Sequence, residues 1–452
     1  MCAQRNNKLL CLSFQVHQPF RLKRYRFFDI GNDHYYFDDF QNEEIFQRIT
    51  RDSYSPANKL LLELIKNTDS RFKAAFSISG TALDQIEMYS PELIDSFSAL
   101  SKTGSVEFLG ETYAHSIASL SEDKREFRTQ VKQHSDKVVN MFGKRPQVFR
   151  NSELLYDDYI AAEVAGLGFK GIITEGAKNI MGWKSPNYLY ASAGAPNLKL
   201  LLRNGHLSED LTKNFGRHDW SEFPLTADKY ARWIASEMQE SGEIVCLDLS
   251  YDTFGIEHSK DTGIFDFLRA LPEYLEREGI RMILPSEAIE LLSPKDTLSV
   301  PDTISWSDEE KNTSSWLGNV LQGEAFKKLG EYSERTRLTK DRRLLQDWTY
   351  LQSSDHFFYM STRGGDVWKY RPYDDAYEAF SNYMNVLSDF LLRVESQYPS
   401  SIENEELNAL LTTIQNQGDE IEELHAKLDA LEAKKEQPTT RKRSTRTKKA
   451  VE

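Results

Sequence analysis

The chain has 452 residues, of which 39% are hydrophobic and 12% aromatic, with a formal net charge of −14. That length fits one large domain or two to three ordinary ones, and the composition excludes a disordered body. From Lys434 onward "KKEQPTTRKRSTRTKKAVE" carries eight Lys/Arg against two Glu, so removing this +6 leaves a body near −20, a poor match for a nucleic-acid enzyme.

Residues 434–452 are expected to form a disordered basic tail, the one segment able to touch nucleic acid weakly or meet an anionic surface. Cys2, Cys11 and Cys246 form no framework and no CxxC, which points to a reducing compartment and a cytoplasmic protein. Arg5 and Lys8 before "LLCLSFQV" imitate a signal peptide. The apolar run is short, however, and broken by Ser13 and Gln15, so it reads as a first strand. No apolar stretch approaches the roughly 20 residues that span a bilayer, so no membrane association is expected.

In chain order, strands are expected at 8–17, 72–79, 105–110, 146–153, 169–175, 198–204 and 243–250, with a further run at 280–285. Helical segments lie between them, among them "SPANKLLLELIKN", "SPELIDSFSALSK" and "SEDKREFRTQVKQHSDKVVNMFG", the last opening on an expected capping box at Ser121. Strands alternating with helices, with few hairpin signals, indicate a parallel α/β fold, as an open sheet or a barrel.

Alternate residues of a strand face opposite sides. Ser13, Gln15 and His17 share one face of the first strand; Phe149, Asn151 and Glu153 share one face of the fourth. Cys246, Asp248 and Ser250 share one face of the seventh. These faces become more polar toward the C-terminal ends, where parallel α/β folds carry their active sites. Beyond residue 300, three segments with a period near 3.6 predict helices packed on the α/β part. Leu407, Leu410, Ile414, Gln417, Ile421, Leu424, Leu428 and Leu431 then step by alternating threes and fours, a heptad run expected to make a homo-oligomer.

The stretch "FQVHQPFRL" (14–22) resembles the opening of glycoside hydrolase family 57, in its α-amylase-like branch. The resemblance recurs in order at "GSVEFLGETYAHSIASL" (104–120), "FRNSELLYDD" (149–158), "LSYDTFGIEH" (249–258), "SWSDEEKNTSSWLGN" (305–319) and "LQSSDHFFYM" (351–360). It covers about residues 8–395. It implies a distorted, TIM-like seven-stranded β/α barrel (1–295) followed by a helical domain completing the cleft (296–398); the heptad run adds an expected coiled coil (403–433) ahead of the basic tail.

The implied activity is hydrolysis of α-glucan links with retention, one carboxylate attacking the anomeric carbon and a second protonating the leaving oxygen. The implied partner is an α-glucan or maltooligosaccharide. Glu153 matches the nucleophile; the alternative reading is a glutamate stabilised at a helix N-terminus. The acid is less direct. Aligning "TFG" on Thr253, Phe254 and Gly255 puts Ser250 where the family-like pattern has its acidic aspartate. Asp252 and Asp248 are the two displaced candidates, and a glucan-binding barrel without turnover is the alternative. Lys311 and Asn312 also depart from the pattern, standing where it has Arg and Asp.

His17, Gln18, Glu107, His115, Trp306, Trp316, Asp355 and His356 are the expected substrate-binding residues, as aromatic platforms with a few aimed polar groups. No HxxxH or HExxH pair exists, and no metal or cofactor is expected.

Overall fold

In a computed structural model of the chain, residues 8–363 and 371–397 are described, together with Thr413 and Gln417. Both of those isolated positions are helical and exposed. The rest of the expected coiled coil at 403–433, and the basic tail, lie outside the described residues.

The protein is an α/β fold around one mixed sheet of ten strands. They are β1 (Lys8–Val16), β2 (Ala74–Ile78), β3 (Val106–Phe108), β4 (Val148–Arg150), β5 (Gly171–Glu175), β6 (Tyr190–Ser192), β7 (Lys199–Arg203), β8 (Ile244–Ser250), β9 (Ile280–Met282) and β10 (Thr297–Leu298). Each of the eight expected runs contains a strand. The short β6 and β10 were not foreseen, because three and two residues carry no readable period.

Parallel pairing runs from β1 to β2, β2 to β3, β4 to β5, β5 to β7, β7 to β8 and β8 back to β1. A parallel bridge between Gly110 and Phe149 joins the β3 end to β4. β7 and β8 touch in register only at Arg203 and Cys246. The antiparallel β6 hangs on β7, and β9 on the start of β1.

Strand alternation sorts the core. Leu10, Leu12, Phe14 and Val16 pack with the helices Ser55–Asn67, Glu92–Lys102 and Ile264–Arg277. Leu9 and Cys11 instead join Ala75, Val148, Ile173, Leu201 and Cys246 in a separate inner cluster. Above that apolar layer the same faces turn polar, with Ser13, Arg150, Arg203 and Asp248 all buried.

The helix Arg125–Phe142 starts four residues after Ser121, and no side chain caps it. The expected capping box is therefore not formed; Asp123 instead accepts from the Arg125 backbone N–H. The segment after 300 supplies the helices Val320–Glu331, Arg342–Leu351, Ser354–Tyr359 and Ala376–Gln397. Trp348, Phe357, Tyr383 and Phe390 from these helices share one apolar cluster with Phe127, Phe149 and Tyr156. The helical region thus grows from the same core that supports β4. Among the described residues, no helix is long and apolar enough to cross a membrane.

Candidate active site

A cavity of about 220 Å³ opens at the C-terminal ends of β1 and β8. It is lined by His17, Gln18, His115, Glu153, Ser250, Asp252, Trp306, Trp316 and Asp355.

Glu153 reaches it by an unexpected route. Arg150, rather than Asn151, is the interior residue of β4, since Val148 lies in the inner cluster and Phe149 in the outer one. Continued strand alternation would send Glu153 outward with Phe149. The chain instead breaks into a 3-10 turn at Ser152–Leu154, with Glu153 and Leu154 in left-handed conformation at φ 56° and 53°. Such a conformation costs a non-glycine residue on the order of 1–3 kcal/mol, and neighbouring structure must hold it. Asn151 does so: its side chain accepts from the Ser152 N–H and donates to Leu155 O and Ser119 Oγ.

The Glu153 carboxyl is fully engaged. Trp306 Nε1 donates to Oε2 at 2.6 Å, Ser354 Oγ donates to Oε1 at 2.7 Å, and His115 Nε2 lies 3.4 Å from Oε1. Burial works against ionisation here, but His115, Trp306 and Ser354 outweigh it and hold Glu153 below the usual glutamate range. Burial likewise opposes a charge on His115, yet Glu153 and Glu111 overcome it and push that imidazole up to about 9. Lys311, in place of the expected Arg, donates to the Trp306 carbonyl at 2.8 Å and so steadies the indole. Asn312 is a turn residue accepting from Ser314.

His17 stacks on His115 at 4.1 Å. Burial and that neighbour lower its pKa, so a neutral ring donates through Nε2 to Asp355 at 2.8 Å and meets Ser79 Oγ at Nδ1.

The two candidate acids separate cleanly. Asp248 lies one strand layer below Ser250, where Arg150 pairs with it at 2.9 Å and Ser13 Oγ donates to it at 2.7 Å. It lines an adjoining cavity of about 670 Å³, not the one holding Glu153. Asp252 sits in the 3-10 turn Tyr251–Thr253 just past β8. Gln18 Nε2 donates to its Oδ2 at 3.1 Å, while Oδ1 is buried without a hydrogen-bond partner. Burial pushes this carboxyl up to about 7, aided by Glu257 and only partly opposed by Tyr54 and Arg21. Ser250 lines the cavity between them.

Two expected binding residues lie elsewhere. Glu107 accepts from the Ser286 N–H at 2.9 Å, at the start of the helix Pro285–Leu291, because β3 carries it below the cleft. His356, one helix position from Asp355, points into the helical core against Tyr383 and contacts Tyr350 O, and burial lowers it to about 4. Trp316 reaches the cavity wall but is fully buried, packed edge-on against Trp306. Sequence reading does not single out Ser354, Arg21 and Gln15 as site residues, although all three fall inside the quoted motifs and Gln15 is placed on the polar face of the first strand. Among the described residues, no group of three or more His, Cys, Asp or Glu is placed to hold a metal ion.

Comparison with known proteins places this geometry in context. Residues 11–301 match the family model "Glycosyl hydrolase family 57". A Methanocaldococcus jannaschii protein named "Putative alpha-amylase" is 39% identical over 399 residues, covering 84% of each chain. Among solved structures, a branching enzyme from Pyrococcus horikoshii superposes with a TM-score of 0.66 at 14% identity, over 91% of this chain and 95% of that one. The 4-α-glucanotransferase of Thermococcus litoralis gives 0.63 at 12% identity, over 84% of this chain; this chain spans only 59% of that enzyme's length. These structural likenesses concern the fold, whereas the family model and the curated relative identify the lineage: the chain belongs to glycosyl hydrolase family 57.

Proposed function

We propose that the protein acts on α-glucans as a retaining glycoside hydrolase, with Glu153 as nucleophile and Asp252 as general acid. The observation that carries this reading is one cavity holding two carboxyls of opposite proton affinity. Glu153 is kept ionised by three donors, and Asp252 is kept protonated near neutral pH by burial. Environments that push two carboxyls apart in this way divide the roles of nucleophile and acid.

In the first step Glu153 attacks the anomeric carbon while the Asp252 proton passes to the leaving oxygen. In the second, Asp252 as carboxylate takes a proton from water, whose oxygen displaces Glu153. His17, Gln18, His115, Trp306 and Asp355 would grip the sugar around the reacting bond. The seven-strand circuit reads as a distorted β/α barrel over 1–295, and 296–398 as the helical part that closes the cleft with Ser354, Asp355 and Trp306. A cytoplasmic location agrees with Cys11 and Cys246, which are buried and unbridged.

The test is turnover of maltooligosaccharides and soluble starch by the full chain, beside Glu153→Gln and Asp252→Asn. Loss of turnover in both variants is expected. Ser250 favours one second reading, a groove that binds glucan without cleaving it. Wild-type protein that binds maltooligosaccharide calorimetrically yet releases no product would establish that reading instead. The heptads from Leu407 to Leu431 are proposed to associate copies of the chain. Truncation after Ser400 should lower the mass seen by light scattering, and an unchanged mass removes the proposal.

A further inference from the structure

Asp252 is flanked on two sides by groups whose bearing on its carboxyl the two-carboxylate scheme does not use. On one side is Gln18, whose Oε1 accepts from Arg21 Nη2 at 2.9 Å. A guanidinium can only donate, so this contact fixes the flip of the amide and turns its NH2 edge to Asp252 Oδ2. Arg21 is itself tied down, its backbone N–H donating to Asn42 Oδ1 at 2.9 Å.

On the other side is a π-helical turn, Thr50–Tyr54. Single π turns interrupt α-helices at a cost and recur where a side chain must be re-aimed at a site. Here Tyr54 is fully buried, stacked on Tyr251 at 5.6 Å, and its hydroxyl has no hydrogen-bond partner, matching the unpartnered Oδ1 of Asp252. The loop and the turn are locked together. Ser53 Oγ donates to Tyr251 O, and Gly255 at φ 115° packs so close that a Cβ there would lie 2.0 Å from Asp52 O. The glycine of "TFG" therefore brings the π turn against the loop that carries Asp252. The remaining charged neighbours are Glu257 on the same loop, engaged by Thr253 Oγ1, and His17, His115, Glu153 and Asp355 across the cavity.

We propose that Gln18, Arg21 and Tyr54 are positioning residues for the Asp252 carboxyl. Gln18, oriented by Arg21, holds Oδ2, and Tyr54 on its π turn serves Oδ1, so that the carboxylate left after proton transfer has a donor for each oxygen. The proposal rests on the reading of Asp252 as the acid. It relocates the machinery that governs the acid to the end of β1 and to a turn not adjacent in sequence.

The experiment is an infrared titration of the full-length chain, following the protonated-carboxyl band that Asp252→Asn abolishes, alongside the pH profile of kcat/KM on maltooligosaccharide. Gln18→Leu and Tyr54→Phe each remove a donor to the carboxylate. Each should move the Asp252 midpoint and the basic limb of the profile upward by about half a pH unit or more, with kcat reduced about tenfold. The acidic limb, which belongs to Glu153, should stay in place. Arg21→Met should shift the midpoint in the same direction by releasing the amide, and Gln18→Glu should shift it further by adding a like charge. An unmoved midpoint in folded Gln18→Leu and Tyr54→Phe overturns the proposal. The infrared midpoint is read whether or not the protein turns over substrate. Failure of the positioning role is thus distinct from failure of Asp252 as the acid, which full turnover by Asp252→Asn would reveal.

Discussion

Asp248 and Asp252 are four residues apart and chemically identical, yet β8 and the turn after it give them opposite surroundings. Asp248 is enclosed by Arg150 and Ser13, each contact within 3.1 Å. Asp252 is only partly buried as a residue, yet its buried Oδ1 has no partner and no cation is in hydrogen-bond contact with it. A paired charge in the interior maintains structure, whereas an incompletely satisfied carboxyl is held in its neutral form and has a proton to give. The comparison therefore assigns the lower aspartate to architecture and the upper one to the chemistry we propose.

The largest effect expected is on activity at the upper site. Glu153→Gln should abolish turnover of unactivated glucans, by about 10³-fold or more. Asp252→Asn should lower kcat/KM by roughly 10²–10⁴-fold, as loss of a general acid does. An Asp248→Asn protein that loses activity while remaining stable would break the comparison.

Next is stability at the lower site. Asp248→Ala leaves Arg150 buried without its carboxylate and should cost about 3–5 kcal/mol in denaturant unfolding. Adding Arg150→Met should recover much of that loss, because the uncompensated charge leaves with it. A double variant no more stable than Asp248→Ala would show that the pair is not the source of the cost.

The pH behaviour sharpens the contrast. Because Asp252 must be protonated, kcat/KM should fall as pH rises through about 7; because Glu153 must be ionised, it should also fall in acid, below the usual glutamate range. Stability carries the same signature. Asp252 binds its proton more tightly folded than unfolded, so its neutral form favours the fold at low pH. That contribution is lost between the unfolded pKa near 3.8 and about 7. Asp252→Asn should thus gain stability relative to wild type at pH 8 and show no such gain at pH 3.

The smallest effect belongs to the donors on Glu153. Ser354→Ala removes one hydrogen bond to a charged group, worth about 1.5 kcal/mol, and should reduce kcat about tenfold while moving the acidic limb upward. An acidic limb that stays put would mean that Ser354 does not help to keep Glu153 ionised.

Much of this was legible in the chain itself. Eight apolar runs marked eight strands, and the polar faces of β1 and β8 pointed to the end of the sheet where the cavity opens. Ordered motifs delivered Glu153, His17, Gln18, His115, Trp306 and Asp355 to one place. These readings succeed because strand alternation and local motifs are properties of neighbouring residues. The choice between Asp248 and Asp252 was not legible, since Arg150 is 98 residues from its partner. Nor was the direction of Glu153, because alternation fails at a left-handed turn sustained by Asn151, Ser119 and Leu155. His356 and Glu107 misled for the same reason: residue type and motif membership say what a side chain can do, and packing decides which way it faces. Sequence alone determined the family, the strand order along the chain and the kinds of groups at the site. Only the tertiary structure decided which carboxyl is paired with a buried arginine and which keeps an oxygen unpartnered, because burial and distant charges, not local sequence, set the cost of ionisation.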